Sequence, residues 1–430
     1  MSANPLLHIK DAYYFEVPRA WYPSDRETRE DFPPHYIRLD PDYQNWEADR
    51  QYDGLAKLGD LEGLPAKEAL LSQYEAWRHE ASNFAAPFDR FLEESSTQAW
   101  FQKQLCLGKY SRKLKDETDE QWSLRQGASE QLISEWRTVK AEAENLEAYS
   151  KTPGWSPEKI AQYNEELNGK IIIPQPFGKL RNNYEKESGF CISKFMILEV
   201  LVAAILIVVF KKLADRITHG RVPKGKLWNM FEAFLLFIRN DIARPAIGAH
   251  DADKFVPILW TMFMFILGCN LLGMLPWLGA PTGSFSVTLA MAAVTFGTGL
   301  WFGSKKFGFV GYWKNQVPHM ELPTVIAIFI VPMLFLIEVL GLLIKHMVLG
   351  IRLLANMVAG HLVLLAIMGI AVSAGAAAAA GSDSSYWIPA VISVLGSAIF
   401  SCLELFVAFL QAYVFTFLSA LFIGAAVHHH

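Results

Sequence analysis

An arginine interrupts a long apolar run that extends over about residues 325–380. Arg352 stands near its middle, in the segment 349–361, so it lies deep inside any membrane that this stretch enters. A lone charge at that depth costs roughly 2.5–3.5 kcal/mol on insertion scales. A chain keeps such a charge where it faces protein or water and has a role there. The simpler alternative is that Arg352 snorkels to the surface or forms a purely structural pair.

Four polar residues share one face of this helix. At 100° per residue, Glu338, Lys345, Arg352 and Asn356 fall within about 40° of one another, among apolar neighbours. His361 falls on the opposite side of the helix. We therefore expect His361 to need a twist of the helix or a second polar neighbour.

A second apolar helix is predicted over about residues 387–427, and it carries Glu404 and Gln411. These two residues are seven positions apart, so they also share a face. Two apolar helices that bear an acid, amides, an imidazole and a single arginine predict a proton path.

The same residues carry a family resemblance. Residues 332–361 and 404–415 resemble the two signature helices of F-type ATP synthase subunit a. Residues 260–276 are similar to an earlier membrane helix of that family, and residues 239–248 to the amphipathic segment before it. The resemblance covers about residues 190–427.

The resemblance implies a stator subunit that is not catalytic itself, uses no cofactor or metal, and couples proton flow to ATP synthesis. Two half-channels would form against a rotating ring of c subunits. Arg352 would face the essential carboxylate of each passing c subunit and separate the half-channels, since arginine stays charged where lysine can lose its proton.

The remaining site residues take roles from the same resemblance. Asn356 would hydrogen-bond water or the carboxylate, with helix packing as the alternative. His361 and Glu404 would line the outer access path, unless they form only a structural hydrogen bond. Gln411 would position Arg352, or else bond the two helices together. Glu338 would lie near the inner exit path.

Two departures from the family pattern stand out. Lys345 lies between Glu338 and Arg352, where we expect it to pair with Glu338. Residues 424–426 are Gly-Ala-Ala where many mitochondrial relatives carry an acid, so the exit path would depend on Glu338 alone. Residues 428–430 are histidines that either supply ionisable groups there or have no role.

Charge divides the chain near residue 190. Residues 1–190 hold 24 Lys and Arg against 33 Asp and Glu, and residues 191–430 hold 15 against 10. We therefore predict a soluble N-terminal extension, residues 1–190, and a membrane domain, residues 191–430. The extension should be mainly helical, with residues 1–50 extended. Its acids and aromatics suggest a surface that docks on neighbouring subunits.

The fold class predicted is an all-α membrane protein with five membrane helices and an amphipathic surface helix. The spans are about residues 195–210, 255–276, 285–302, 325–372 and 387–427, and residues 227–243 form the surface helix, with a buried core helix as the alternative. The last two spans exceed a bilayer, so they should form a strongly tilted hairpin.

Loop charge predicts the orientation. Residues 211–226 contain six bases and the loop after residue 302 contains three, which places both loops inside. The N-terminus would then lie outside and the C-terminus inside. For the mitochondrial inner membrane, which we expect, these sides are the intermembrane space and the matrix.

The expected partners are the c-ring, the peripheral stalk, other membrane subunits and lipids, without nucleic acid. One alternative function is an ion-coupled secondary transporter or channel, but the sequence shows no repeated halves. Another is a structural membrane scaffold, against which the full polar set argues. A quinone or haem protein would need histidine pairs that face each other across helices. Four scattered cysteines show no metal-site spacing.

Overall fold

The computed structural model describes residues 11–59, 61–80, 83–218, 225–275, 278–314, 324–379 and 387–427, and most of these are helical. The chain forms two compact units. One is Glu16–Cys191, and the other combines residues 192–427 with residues 11–15. The assignment of residues 1–190 to a soluble domain on the outer side of the membrane stays a prediction.

The unit Glu16–Cys191 is built from short helices around one long helix. Its described α-helices are α1 (Pro34–Ile37), α2 (Pro41–Leu55), α3 (Lys67–Arg78), α4 (Phe88–Glu94), α5 (Ala99–Gln104), α6 (Asp119–Ala143), α7 (Leu146–Tyr149) and α8 (Pro157–Leu167). The described strands of the chain are β1 (Tyr14–Glu16), β2 (Lys170–Ile172), β3 (Gly178–Asn182) and β4 (Glu185–Gly189). Strands β3 and β4 form an antiparallel hairpin in which Gly178 pairs with Gly189.

The expectation of an extended segment over residues 1–50 is wrong for residues 34–50, which are largely helical. The reason is that proline favours the first turn of a helix, where its missing N–H costs nothing. Pro41 begins α2, and the carboxylate of Asp40 caps that helix by accepting from the N–H of Asp42 at 3.3 Å. Tyr36 and Tyr43 are fully buried.

Two hydrophobic clusters hold this unit together. Both are rich in aromatic rings in edge-to-face contact, as with Tyr43 and Tyr149 at 5.2 Å. The first contains Phe32, Tyr36, Ile37, Leu39, Tyr43, Ala85, Leu146, Tyr149, Tyr163 and Leu167. The second contains Ala48, Leu55, Leu70, Tyr74, Phe88, Phe91, Leu92, Phe101, Leu105 and Trp136.

The second unit consists of long apolar helices and short connecting ones. They are α9 (Lys194–Thr218), α10 (Lys226–Phe237), a π-helical segment (Ile238–Ala243), α11 (Arg244–Ile247), α12 (Ala252–Gly273), α13 (Phe285–Phe307), α14 (Phe309–Lys314), α15 (Thr324–Ala379) and α16 (Trp387–Val427).

Four helices in the described part are long and apolar enough to cross a membrane: α12, α13, and most of α15 and α16. This result confirms a helical membrane protein. The count of five spans is not confirmed, because α9, which carries Glu199 within its apolar stretch, is not among the four. The surface position of α10 stays a prediction as well.

Helix α12 lies at the centre of this unit. It packs against α9, α16 and the π-helical segment, while α13 packs against both α15 and α16. Ile266 and Cys269 of α12 have no exposed surface. The long hairpin helices α15 and α16 pack against each other. They thereby fix the relative positions of the polar side chains that they carry.

Helix α15 has 56 residues, so it would span about 84 Å against roughly 30 Å of hydrocarbon. The helix continues through Pro332. Its tilt in the bilayer stays a prediction. Of the bases that predict the orientation, Arg221 and Lys224 lie outside the described residues, as do residues 315–323 and 380–386 of the other connecting loops.

Candidate functional site

One face of α15 is buried and the other is open. Leu349, Leu353 and Met357 are buried at intervals of four residues and face the rest of the unit. Arg352 is exposed, roughly 100° around the helix from the middle of this buried row. Among the described residues, its guanidinium has no hydrogen bond or ion pair.

Glu338 and Lys345 lie further along the predicted polar stripe. The Nζ atom of Lys345 is 3.8 Å from Oε1 of Glu338, and both side chains are about half exposed. This distance supports the expectation that Lys345 pairs with Glu338. His346, next to Lys345, is buried between Phe296 and Phe422 and its Nδ1 lies 2.8 Å from the carbonyl oxygen of Leu342.

His361 meets its polar neighbour on α16. Its Nδ1 lies 3.3 Å from Oε1 of Glu404, which is 5% exposed. The two atoms are within ion-pair distance but do not have hydrogen-bond geometry, and Nε2 of His361 is also without a hydrogen bond. Gly360 provides the space for this contact, because a Cβ atom there would lie 3.1 Å from Oε1 of Glu404.

A small cavity brings together three of the predicted residues. Asn356, Glu404 and Gln411 line a space of about 10 Å³ between α12, α15 and α16. A volume of this order is close to the minimum that holds one water molecule. The cavity therefore joins side chains that can exchange hydrogen bonds with water.

Asn270 of α12 lines the same cavity, and the sequence analysis did not select it as a site residue. Its Nδ2 donates to the carbonyl oxygen of Ala408 at 3.2 Å, and its Oδ1 accepts from Oγ1 of Thr282 at 2.8 Å. These bonds fix the amide at the cavity wall. Its isolation in an apolar helix was the signal that could have identified it.

In the described part of the chain, no hydrogen bond joins Gln411 to Arg352, although the two are predicted to pair. Gln411 is 8% exposed and faces the cavity, whereas Arg352 lies on the open face of α15. The positioning role of Gln411 stays a prediction.

At the C-terminal end of α16, position 424 has no room for a side chain. A Cβ atom at Gly424 would lie 2.4 Å from the carbonyl oxygen of Ala246 in α11. Close backbone packing therefore accounts for the glycine at this position. The histidines at 428–430 lie outside the described residues.

Comparison with known proteins identifies relatives of this chain. Residues 196–424 match the family model described as ATP synthase A chain. ATP synthase subunit a 2 of Chlorobaculum tepidum is 40% identical over 269 residues, which are 61% of this chain and 71% of that relative. ATP synthase subunit a 2 of Chlorobium luteolum is 39% identical over 290 residues, which are 66% and 80% of the two chains. ATP synthase subunit a of an Anaeromyxobacter species is 40% identical over 275 residues, 63% and 61% of the two.

These relatives support a membrane location for this chain. They are bacterial, so they do not support a mitochondrial location. The family match includes α12, α13, α15, all of α16 up to residue 424, and every predicted site residue. It also covers more than half of the chain. The relatives named above are ATP synthase a subunits, and the chain therefore belongs to the ATP synthase A chain family.

Proposed function

We propose that this chain forms the two half-channels through which protons reach and leave the c-ring of an F-type ATP synthase, with Arg352 as the barrier between them. The observation that carries the proposal is the position of Arg352. It is an exposed guanidinium without a partner among the described residues, in the middle of an apolar helix.

Lipid is a poor neighbour for this guanidinium, because a charge at membrane depth needs protein or water around it. A partner that brings a carboxylate to the open face would satisfy it. The guanidinium would stabilise the ionised form of that carboxylate and so favour release of its proton. Because arginine does not deprotonate in proteins, it would also stop protons from crossing directly between the half-channels.

The face around Arg352 supports the c-ring as that partner. Val348 and Ile351 are exposed beside it on α15, and Leu403 and Phe406 are exposed on α16. Transmembrane helices associate through such packing surfaces. Lipids and the remaining membrane and peripheral-stalk subunits would cover the rest of the exposed apolar surface, and the unit Glu16–Cys191 would dock on neighbouring subunits.

The outer access path would run past His361, Glu404, Asn356 and Gln411. Two features support it: the 3.3 Å approach of His361 to Glu404, and the cavity that the other two residues share with Glu404. Imidazole and carboxyl groups both take up and release protons. The amides would hold water between these groups and the open face of α15.

The inner exit path would use Glu338. Its pair with Lys345 at 3.8 Å supports a polar environment at that end of the stripe. The basic loops predict that this end faces the inside of the membrane and that residues 1–190 face the outside. The mitochondrial inner membrane stays a prediction that the bacterial relatives do not support.

Mild detergent extraction followed by purification through this chain tests the assembly. We expect a ring of small two-helix proteins and a nucleotide-hydrolysing head to co-purify in constant proportion. Recovery of the chain free of both, under conditions that keep membrane complexes intact, would favour the transporter or scaffold alternatives.

A further inference from the structure

The unit Glu16–Cys191 contains a cavity of about 300 Å³ that the proton path does not use. It is lined by α2, the C-terminal turns of α6, the first residues of α4 and the β3–β4 hairpin. Most of its lining side chains are charged or carry an amide. A polar space of this size, enclosed by four elements, is large enough for a small molecule.

The partly buried cations of this cavity already have anionic partners. Arg181 lies 2.6 Å from Asp89, and Lys140 lies 3.5 Å from the same carboxylate. Arg38 forms an ion pair with Glu144. Arg38 also lies 3.5 Å from Glu187, so its charge is shared between two acids.

Glu47 is the carboxylate that forms no ion pair with these cations. Its side chain projects from α2 into the cavity and the residue is 9% exposed. Within the described part of the chain it makes no hydrogen bond and no ion pair. Burial of an ionised carboxylate without a partner is costly.

The charges around Glu47 add to this cost. Burial is the main cause that raises the pKa of Glu47, to about 8, and the nearby Asp89 and Glu144 raise it further, against Arg181 and Arg38. One turn along α2, Oε1 of Gln51 is buried and accepts no hydrogen bond. The cavity is lined by four described carboxylates (Glu47, Asp89, Glu144, Glu187) and four cations (Arg38, Arg137, Lys140, Arg181), and Glu47 is the one of these carboxylates that has no ion pair with a lining cation.

We propose that this cavity binds a small organic cation through its ammonium group, with Glu47 as the counter-ion. An ammonium group brings one positive charge and up to three N–H donors, which matches an unpaired carboxylate and its acceptor neighbour. A metal ion fits less well, because the described residues contain no cluster of His, Cys, Asp and Glu that could hold one. Arg137, the remaining lining cation, is exposed to solvent.

Calorimetric titration of the full chain in detergent tests this proposal, with 1,4-diaminobutane as the probe and butane-1,4-diol as its neutral counterpart. We expect saturable binding of the diamine and none of the diol. Binding should strengthen by roughly tenfold per pH unit from about pH 6 to about pH 8, because Glu47 must be ionised to pair with the ammonium. Binding that does not change over this range, or equal binding of the diol, would overturn the proposal.

Two variants locate the site. Glu47→Gln keeps the size of the side chain and removes its charge, so diamine affinity should fall at least tenfold. Glu142→Gln removes an exposed carboxylate of α6 that does not line the cavity, and affinity should stay within twofold of the unchanged chain. Equal losses in the two variants would show a general effect of net charge and contradict a site at Glu47. If Glu47→Gln does not fold, the diol comparison and the pH series still decide the question.

Discussion

Nδ1 of His361 on α15 lies 3.3 Å from Oε1 of Glu404 on α16. The contact crosses between two helices that are adjacent in sequence and pack against each other. His361 lies on the side of α15 opposite Arg352, and this contact provides its polar neighbour, a carboxylate of the second helix. An imidazole and a carboxyl group at this distance can act as one proton-relay unit.

If His361 and Glu404 serve one step of proton transfer, the free-energy losses caused by substituting them should not be additive. We expect His361→Ala and Glu404→Gln each to slow ATP-driven proton pumping into inverted vesicles by at least about tenfold. The double variant should lose much less than the sum of the two losses in free energy. Ser393→Ala is the control, since it removes a 2.7 Å hydrogen bond to the carbonyl oxygen of Ile367 between the same helices without removing an ionisable group. Additive losses would place the two residues in separate steps.

Gly360 should be essential for this contact because of the space that it leaves. A Cβ atom there would already lie 3.1 Å from Oε1 of Glu404, so Gly360→Val should displace the carboxylate and cut proton pumping several-fold. Gly369→Val in the same helix is the matched control, since a Cβ atom at Gly369 meets nothing within 4 Å. Pumping assays on complexes with equal subunit content check this prediction, and equal activity of the two variants would contradict it.

The unit that contains residues 16–191 should face the outside of the membrane. We expect a cysteine introduced by Glu68→Cys, in a Cys106→Ser background, to react with a membrane-impermeant maleimide in right-side-out vesicles. Lys305→Cys, in the last turn of α13 before a predicted inner loop, should react only after the membrane is permeabilised. The reverse pattern would require the outer and inner roles of Glu404 and Glu338 to be exchanged.

The stability of the same unit should fall as the pH rises. The pKa of Glu47 is raised from 4.5 to about 8 by burial, so the folded state holds this proton more tightly than the unfolded state. The resulting stabilisation is complete below about pH 4.5 and is lost progressively up to about pH 8, by an amount on the order of 3–5 kcal/mol.

Pulse proteolysis in urea at a series of pH values measures this loss. The control is Glu47→Gln, in which the dependence should be much weaker, because the amide mimics the protonated acid at every pH. Stability that rises between about pH 5 and about pH 8 in the unchanged chain, and equally in Glu47→Gln, would show that other groups dominate.

Spacing along one helix was sufficient to predict some of these features. The stripe of Glu338, Lys345, Arg352 and Asn356 follows from the helical period, and the lengths of α15 and α16 follow from their apolar runs. The position of one helix along the axis of the other does not follow from the helical period of either sequence. The contact of His361 with Glu404 and the place of Asn270 in the cavity therefore required the structure.

In the N-terminal unit, spacing along one helix was not sufficient to predict the cavity. Its polar cavity depends on residues from α2, α4, α6 and the β3–β4 hairpin, which are distant in sequence and carry no common motif. The burial of Glu47 could not be predicted, because an acid on a short polar helix is usually exposed to solvent. Prolines suggested extended chain in the first fifty residues, but Pro34 and Pro41 begin helices.

ATP-driven proton pumping by a synthase that carries Arg352→Ala tests the central claim most directly. Loss of the barrier should abolish pumping, to below about a twentieth of the unchanged rate, while the complex still assembles, because the exposed side chain contributes little to packing. Arg352→Lys should be nearly as damaging, and Lys305→Gln, which removes a base at the membrane edge, should pump normally. Pumping above about half of the unchanged rate in either Arg352 variant would contradict the account.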